Sequence, residues 1–217
     1  MKIIDLSKPI VHGDNYHCDV EISDYATHAQ TAARLTLPAK GYAVKKLIMS
    51  DHSATHVDAP LHFIPDGQSI DEPSLDRYCG PAKVIDFSAD TGDQGELTLS
   101  VFLAKLSNEN ISLEQGDCVL FKFQEGDKIA YSGLSEHTSA QLVESGVRLV
   151  GTDQPSIDWF ENKTRPAHRL LLAAGIPVVE MLTNLQSIKN KQAVFMGLPL
   201  KITGATGSPI RAAALIF

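Results

Sequence analysis

Only three cysteines occur in the 217 residues, Cys18, Cys79 and Cys118, and no two form a CxxC pair. An odd, scattered set of this kind argues against a disulfide framework and against a zinc knuckle. No block of lysine or arginine stands out, and the formal net charge is −7. That balance argues against nucleic acid or an anionic membrane surface as a partner. Long hydrophobic runs are missing too. The most apolar stretch, Leu170 to Leu182, is interrupted by Gly175, Pro177 and Glu180 and is too short to span a bilayer. The opening residues Met1 to Ser7 reach Asp5 before any apolar core develops, unlike a secretory signal, so a cytoplasmic location is expected. There is no internal repeat and no low-complexity linker. With 43% hydrophobic and 21% charged residues, the chain is expected to form a single domain over 1–217 with a sizeable core.

What is present is concentrated chemistry. Between His52 and His62 the chain reads HSATHVDAPLH, with three imidazoles and the Asp58 carboxylate in eleven positions, although only eight histidines serve the whole protein. These side chains bind zinc, manganese or iron and leave room for a reactive water. A fully extended chain would separate His52 from His62 by about 33 Å, so a shared site requires a bend. His52 and His56, four apart, suit one face of a helical turn, and His56 and Asp58, two apart, suit one face of an extended segment. Pro60 opposes a continuous helix through the run. The expectation is a turn or short helix feeding a strand-like stretch, with the four polar side chains turned inward. Val57, Ala59, Leu61 and Phe63 between them imply a semi-buried setting, where ionisable groups are costly unless paired or metal-bound.

Elsewhere β-branched and aromatic residues predict strands over 44–49, 83–87 and 118–123, and the spacing of Leu99, Phe102, Leu103 and Leu106 predicts a helix over 98–106. Ser135 is a suitable N-cap for a helix ending at Gly146, before a strand over 147–151. Pro166 starts a helix stopped by Gly175, before a strand over 176–179. Strands over 193–196 and 212–216 close the chain. Helix–strand alternation in the second half implies an α/β layer, and the β-rich first half adds further sheet, so the expected fold is a mixed β/β/α sandwich. Glu180 falls at the C-terminal end of a buried strand, where open α/β sheets place their crevices, and His168 near the start of the preceding helix. Both are candidates to complete a metal site. No nucleophile elbow is present, and Ser208 and Arg211 read as loop structure or an oligomer contact.

These residues together resemble the cyclase or kynurenine formamidase family of metal-dependent hydrolases. Its hallmark HxGTHxDxPxH matches His52 to His62 except that Ala54 replaces the glycine. The likeness continues through Asp5-Leu6-Ser7, Gly151-Thr152-Asp153, Ser156-Ile157-Asp158, His168 to Leu172, Gly175-Ile176, Glu180, Pro199 to Ile202 and Gly207 to Ala212. It implies an α/β "swivelling" sandwich assembling as a homodimer or homotetramer. It further implies that His52, His56 and Asp58 bind a first divalent ion, zinc or manganese. Asp58 and Glu180 would bridge to a second ion, if present, with His168 completing it, and His62 would carry protons instead of binding metal.

Two departures bear on function. Alanine at position 54 would be strained if the turn requires positive φ. Near the N-terminus, Tyr16-His17-Cys18-Asp19 stands where kynurenine formamidases carry a W-P-G-D segment, so Tyr16 replaces the tryptophan that helps enclose an aromatic substrate. The resemblance implies hydrolysis of a small amide, such as an aryl formamide, with His62 as general acid and base. A cyclic amide of the isatin type is the alternative substrate, and a metal-dependent protein that only binds a small ligand is a further one.

Overall fold

The computed structural model describes residues 1–89, 95–123, 131–189 and 191–217. In chain order the strands are β1 (Lys2–Asp5), β2 (Glu21–Ala26), β3 (Val44–Ile48), β4 (His56–Asp58), β5 (Cys79–Asp86), β6 (Glu96–Leu97), β7 (Cys118–Lys122), β8 (Gly133–Leu134), β9 (Leu149–Thr152), β10 (Val178–Glu180), β11 (Ala193–Met196), β12 (Gly207–Pro209) and β13 (Ala213–Ile216). The α-helices are α1 (His28–Thr31), α2 (Leu99–Asn108), α3 (Glu136–Glu144) and α4 (Pro166–Ala173). Nine strands form one mixed sheet in the order β1-β13-β11-β5-β7-β9-β10-β4-β12. Its centre, β5-β7-β9-β10, is parallel, and the flanking pairs are antiparallel.

Central strand β7 shows why the sheet sits where it does. Its residues Cys118 to Phe121 are fully buried, the continuous apolar run expected of a strand covered on both faces. Successive side chains point to opposite sides, so Cys118 and Leu120 join a core with Leu6, Val57, Tyr78 and Phe195, and Val119 and Phe121 join another with Phe102, Leu142 and Leu171. The second core lies under α2, α3 and α4. The same alternation sorts the functional strands. Val57 of β4 and Val179 of β10 enter the first core, and Val178 enters the second. His56 and Asp58, on either side of Val57, therefore project toward α4, as does Glu180.

The predicted helices appear within two residues of their expected ends, and Ser135 does cap α3, its hydroxyl accepting from the Thr138 amide. The mixed single-domain α/β expectation is met. Five details differ. The strand expected over 83–87 begins four residues earlier, at Cys79. The strands following α3 and α4 begin two residues later than expected, at Leu149 and Val178. His52 lies in a turn instead of on a helical face shared with His56, because Ala54 takes φ +52° and breaks any helical continuation. Pro60 opens a 3-10 turn, Pro60–His62. Ser208 belongs to β12, fully buried, with its hydroxyl accepting from the Leu200 amide and donating to the Pro209 carbonyl, so it is internal structure and no surface loop.

One hydroxyl ties the histidine-bearing strand to its surroundings. Thr55 Oγ1 donates to the Met181 carbonyl at 2.6 Å and accepts from the Lys8 amide at 2.8 Å, joining the start of β4 to the residue after β10 and to the N-terminal segment. Thr55→Val keeps the shape and deprives two backbone groups of their partner. It should cost about 1–3 kcal/mol in urea unfolding, with an unchanged far-UV spectrum.

Candidate metal centre

β4 and β10 run antiparallel, with Glu180 opposite His56 and Val178 opposite Asp58. Register alone therefore places Glu180 and His56 side by side, on the face that carries Asp58. The N-terminal turn of α4 supplies His168, and the 3-10 turn after β4 supplies His62. All six sequence-predicted residues converge. His52, His56, Asp58, His168 and Glu180 are buried, and His62 is half-buried.

Asp58 stands at the centre. Its Oδ1 lies 2.7 Å from His52 Nδ1 and 3.4 Å from His56 Nε2, and its Oδ2 lies 3.3 Å from His168 Nε2. Glu180 spans the two other imidazoles, with Oε1 3.1 Å from His168 Nε2 and Oε2 3.5 Å from His56 Nε2. Among the described residues two donor sets emerge, each with ligand atoms within 4.8 Å of one another: His52, His56 and Asp58, and Asp58, His62 and His168. Asp58 belongs to both.

The residues fit a divalent cation. Asp58 is fully buried, yet its Oδ2 makes no hydrogen bond and faces imidazole nitrogen alone. Mixed imidazole and carboxylate donors suit zinc or manganese. The rings are also held from behind, as ligating histidines are. His56 Nδ1 contacts the Ala54 carbonyl at 2.8 Å, and His168 Nδ1 contacts Asp158 Oδ2 at 2.5 Å, leaving each Nε2 aimed inward. The left-handed backbone at Ala54 accompanies this arrangement, at a cost of about 1–2 kcal/mol for a residue with a Cβ.

Asp158 has a role that the sequence did not disclose. Besides holding His168, its carboxylate accepts from the Ala167 and His168 amides and so caps α4, whose own preceding residue, Arg165, provides no side-chain cap. Its only sequence signal was membership of the Ser156-Ile157-Asp158 segment. Phe63 adds support by stacking on the His168 ring at 4.5 Å.

A cleft of about 270 Å³ opens over the centre, lined by Asn15, Tyr16, His17, His52, His56, Tyr131, Pro155, Glu180 and Met181. Tyr16 is half-buried in its wall, with its hydroxyl 3.2 Å from Asp14 Oδ2. The cleft therefore brings Tyr16 to the histidine cluster, and it adds Tyr131, which sequence reasoning had passed over.

Comparison with known proteins now decides the family. The family model described as "Putative cyclase" matches residues 4–159. The chain belongs to that family. Kynurenine formamidase of Bacillus mycoides (strain KBAB4) is 34% identical over 174 residues, 78% of each chain. Kynurenine formamidase of Salinibacter ruber (strain DSM 13855 / M31) is 35% identical over 175 residues, 76% of each. Among solved structures, isatin hydrolase A from Labrenzia aggregata bound to benzyl benzoate superposes with a TM-score of 0.85 at 25% identity, covering 99% of this chain and 93% of its own. This cyclase-family chain is a hydrolase of carbon–nitrogen bonds other than peptide bonds, with a cluster of donors suited to a divalent metal.

Electrostatics show what the ion replaces. Burial alone would lower the His56 imidazole, but hydrogen bonds to Asp58 and Glu180 raise it to about 10. Burial likewise opposes charge on His168, and Glu180, Asp158 and Asp58 raise it well above its usual value. Without metal, two imidazolium protons thus balance Asp58 and Glu180. Loading an ion at neutral pH must expel those protons, so affinity should rise with pH from 6 to 9, by up to about tenfold per unit for each proton displaced. Calorimetric titration with zinc in buffers of different ionisation enthalpy should register proton release; none would show that the imidazoles are already neutral.

Proposed function

We propose that this chain hydrolyses an aryl formamide of the N-formylkynurenine kind, releasing formate and an aryl amine. The observation that carries this reading is the meeting of the five-residue donor set and His62 beneath a cleft walled by Tyr16 and Tyr131. His52, His56 and Asp58 would hold one divalent ion, and Glu180 and His168 would share a second with Asp58. A bound ion supplies a water of lowered pKa and polarises the amide carbonyl. The ion is zinc or manganese on this donor chemistry.

His62 is placed for proton transfer. Burial pulls its imidazole down to about 4, so at neutral pH it is an unprotonated base. Its ring is 4.0 Å from that of His52 and 5.8 Å from that of His168, centroid to centroid, which brings it to the edge of the donor cluster. It takes the proton of the attacking water as oxygen joins the carbonyl carbon, and returns it to the amide nitrogen as the carbon–nitrogen bond breaks. Tyr16 and Tyr131 offer flat apolar surface to the aryl ring and exclude water from the reacting carbonyl.

A second reading, hydrolysis of a cyclic amide such as isatin, is favoured by the near-complete structural match to isatin hydrolase A and by tyrosine standing where the formamidases have tryptophan. A protein that only binds its ligand would have no use for His62. We further propose a homodimer or homotetramer, supported by the apolar side chains Tyr25, Val44, Leu47 and Ile48 exposed on the β2–β3 ribbon. A cytoplasmic location accords with three free thiols.

Metal-loaded protein incubated with N-formyl-L-kynurenine should release kynurenine over many turnovers. His62→Ala should lower that rate by about 10²–10⁴-fold with metal content unchanged. Parallel loss of metal would make His62 a ligand. Turnover of isatin without turnover of the formamide would reverse the order of the two substrates.

A further inference from the structure

His56 and His168 are held from behind by a carbonyl and a carboxylate, each a plain acceptor. His52 differs. Its Nε2 lies 2.9 Å from Thr206 Oγ1, a group able to donate or to accept. The chain resolves the ambiguity one bond further out. Thr206 Oγ1 also lies 2.8 Å from Asp51 Oδ2, and that same oxygen accepts from the amides of Thr206 at 3.0 Å and Gly207 at 3.2 Å. An oxygen receiving two amide protons is an acceptor, so the single Thr206 hydroxyl proton points to Asp51. The hydroxyl then has only lone pairs for His52, and Nε2 must carry a proton. Nδ1 lies 2.7 Å from Asp58 Oδ1, a distance that requires a cation between the two acceptors, a proton or the metal ion they would share. The direct approach of Asp51 to the ring, Oδ1 to Nε2, is 3.7 Å, too long for a hydrogen bond, so the hydroxyl is the connection.

We infer that Asp51 and Thr206 form a positioning relay that fixes His52 as the Nε2–H tautomer and presents Nδ1 to the metal ion. The relay joins residues 155 apart in sequence and ties the residues that open β12 to the site. Its backbone takes part as well. Gly207 packs so closely that a Cβ there would lie 2.7 Å from His52 Cε1 and 2.8 Å from the Val57 carbonyl oxygen. The ring is thus clasped between a glycine face and a hydroxyl whose polarity is set from outside. The inference rests on the reading of His52 as a metal ligand.

Three variants separate the relay from that reading. Thr206→Val removes the hydroxyl at nearly constant volume, Thr206→Ser retains it, and His52→Ala removes the ring. Zinc affinity measured against a competing chelator should fall about 10–100-fold in Thr206→Val and stay within about threefold of wild type in Thr206→Ser. Zinc-loaded wild type should show a His52 Nε2 proton in slow exchange with water by ¹H–¹⁵N correlation, and Thr206→Val should lose that protection. Unchanged zinc affinity in His52→Ala would overturn the ligand assignment itself. Loss in His52→Ala with wild-type affinity in Thr206→Val, or equal loss in the valine and serine variants, would overturn the relay alone.

Discussion

Removing a carboxylate from water costs several kcal/mol even after the surroundings relax, and Asp58 is fully buried. Three imidazole nitrogens surround it within 3.4 Å, and Glu180 brings a second carboxylate to two of the same rings. Positive charge must therefore reside at this spot, as protons or as a metal ion. Most other features of the region serve that requirement. Each ring is braced from its far side, the brace for His168 also caps its helix, and the wall above shields the cluster from solvent.

The sheet makes the arrangement possible with little irregularity. Side-chain alternation on β4 sends His56 and Asp58 one way and Val57 the other, and antiparallel register sets Glu180 opposite His56. Only His52, His62 and His168 need turns or a helix start to reach the cluster. Two departures from regular backbone flank the paired strands: Ala54 before β4 and Met181 after β10 both take positive φ without being glycine, and Thr55 hydrogen-bonds across the gap between them. Strain held at the edges of a functional site, with a regular sheet behind it, is a familiar division of labour.

Much of this was legible in the sequence, for identifiable reasons. The histidine run announced itself because four ligand-type side chains fell within eleven positions. The helices were readable from Pro166, Gly175, Ser135 and apolar spacing, and β7 from its unbroken apolar run. The short strands β6, β8 and β12 were not, since two or three residues carry no periodicity. Asp158, Asp51 and Thr206 were opaque for another reason. Their roles arise from contacts across 10 to 155 residues of chain, and nothing local distinguishes a bracing carboxylate from a solvated one. The helical face suggested for His52 and His56 failed because a spacing of four fits a helix without requiring one, and Ala54 turns the chain the other way.

The uneven origin of the ligands has a consequence for the denatured state. Three imidazoles and a carboxylate stay within eleven residues of one another even in an unfolded chain, whereas His168 and Glu180 join them only when α4 and β10 dock. A metal ion therefore retains some affinity for the unfolded polypeptide, and the stabilisation it confers is set by the ratio of the two affinities, not by the native one alone. An ion captured early by the local half would restrict that segment before the sheet is complete. Folding with metal present would then begin from a chain already bent at its most constrained point.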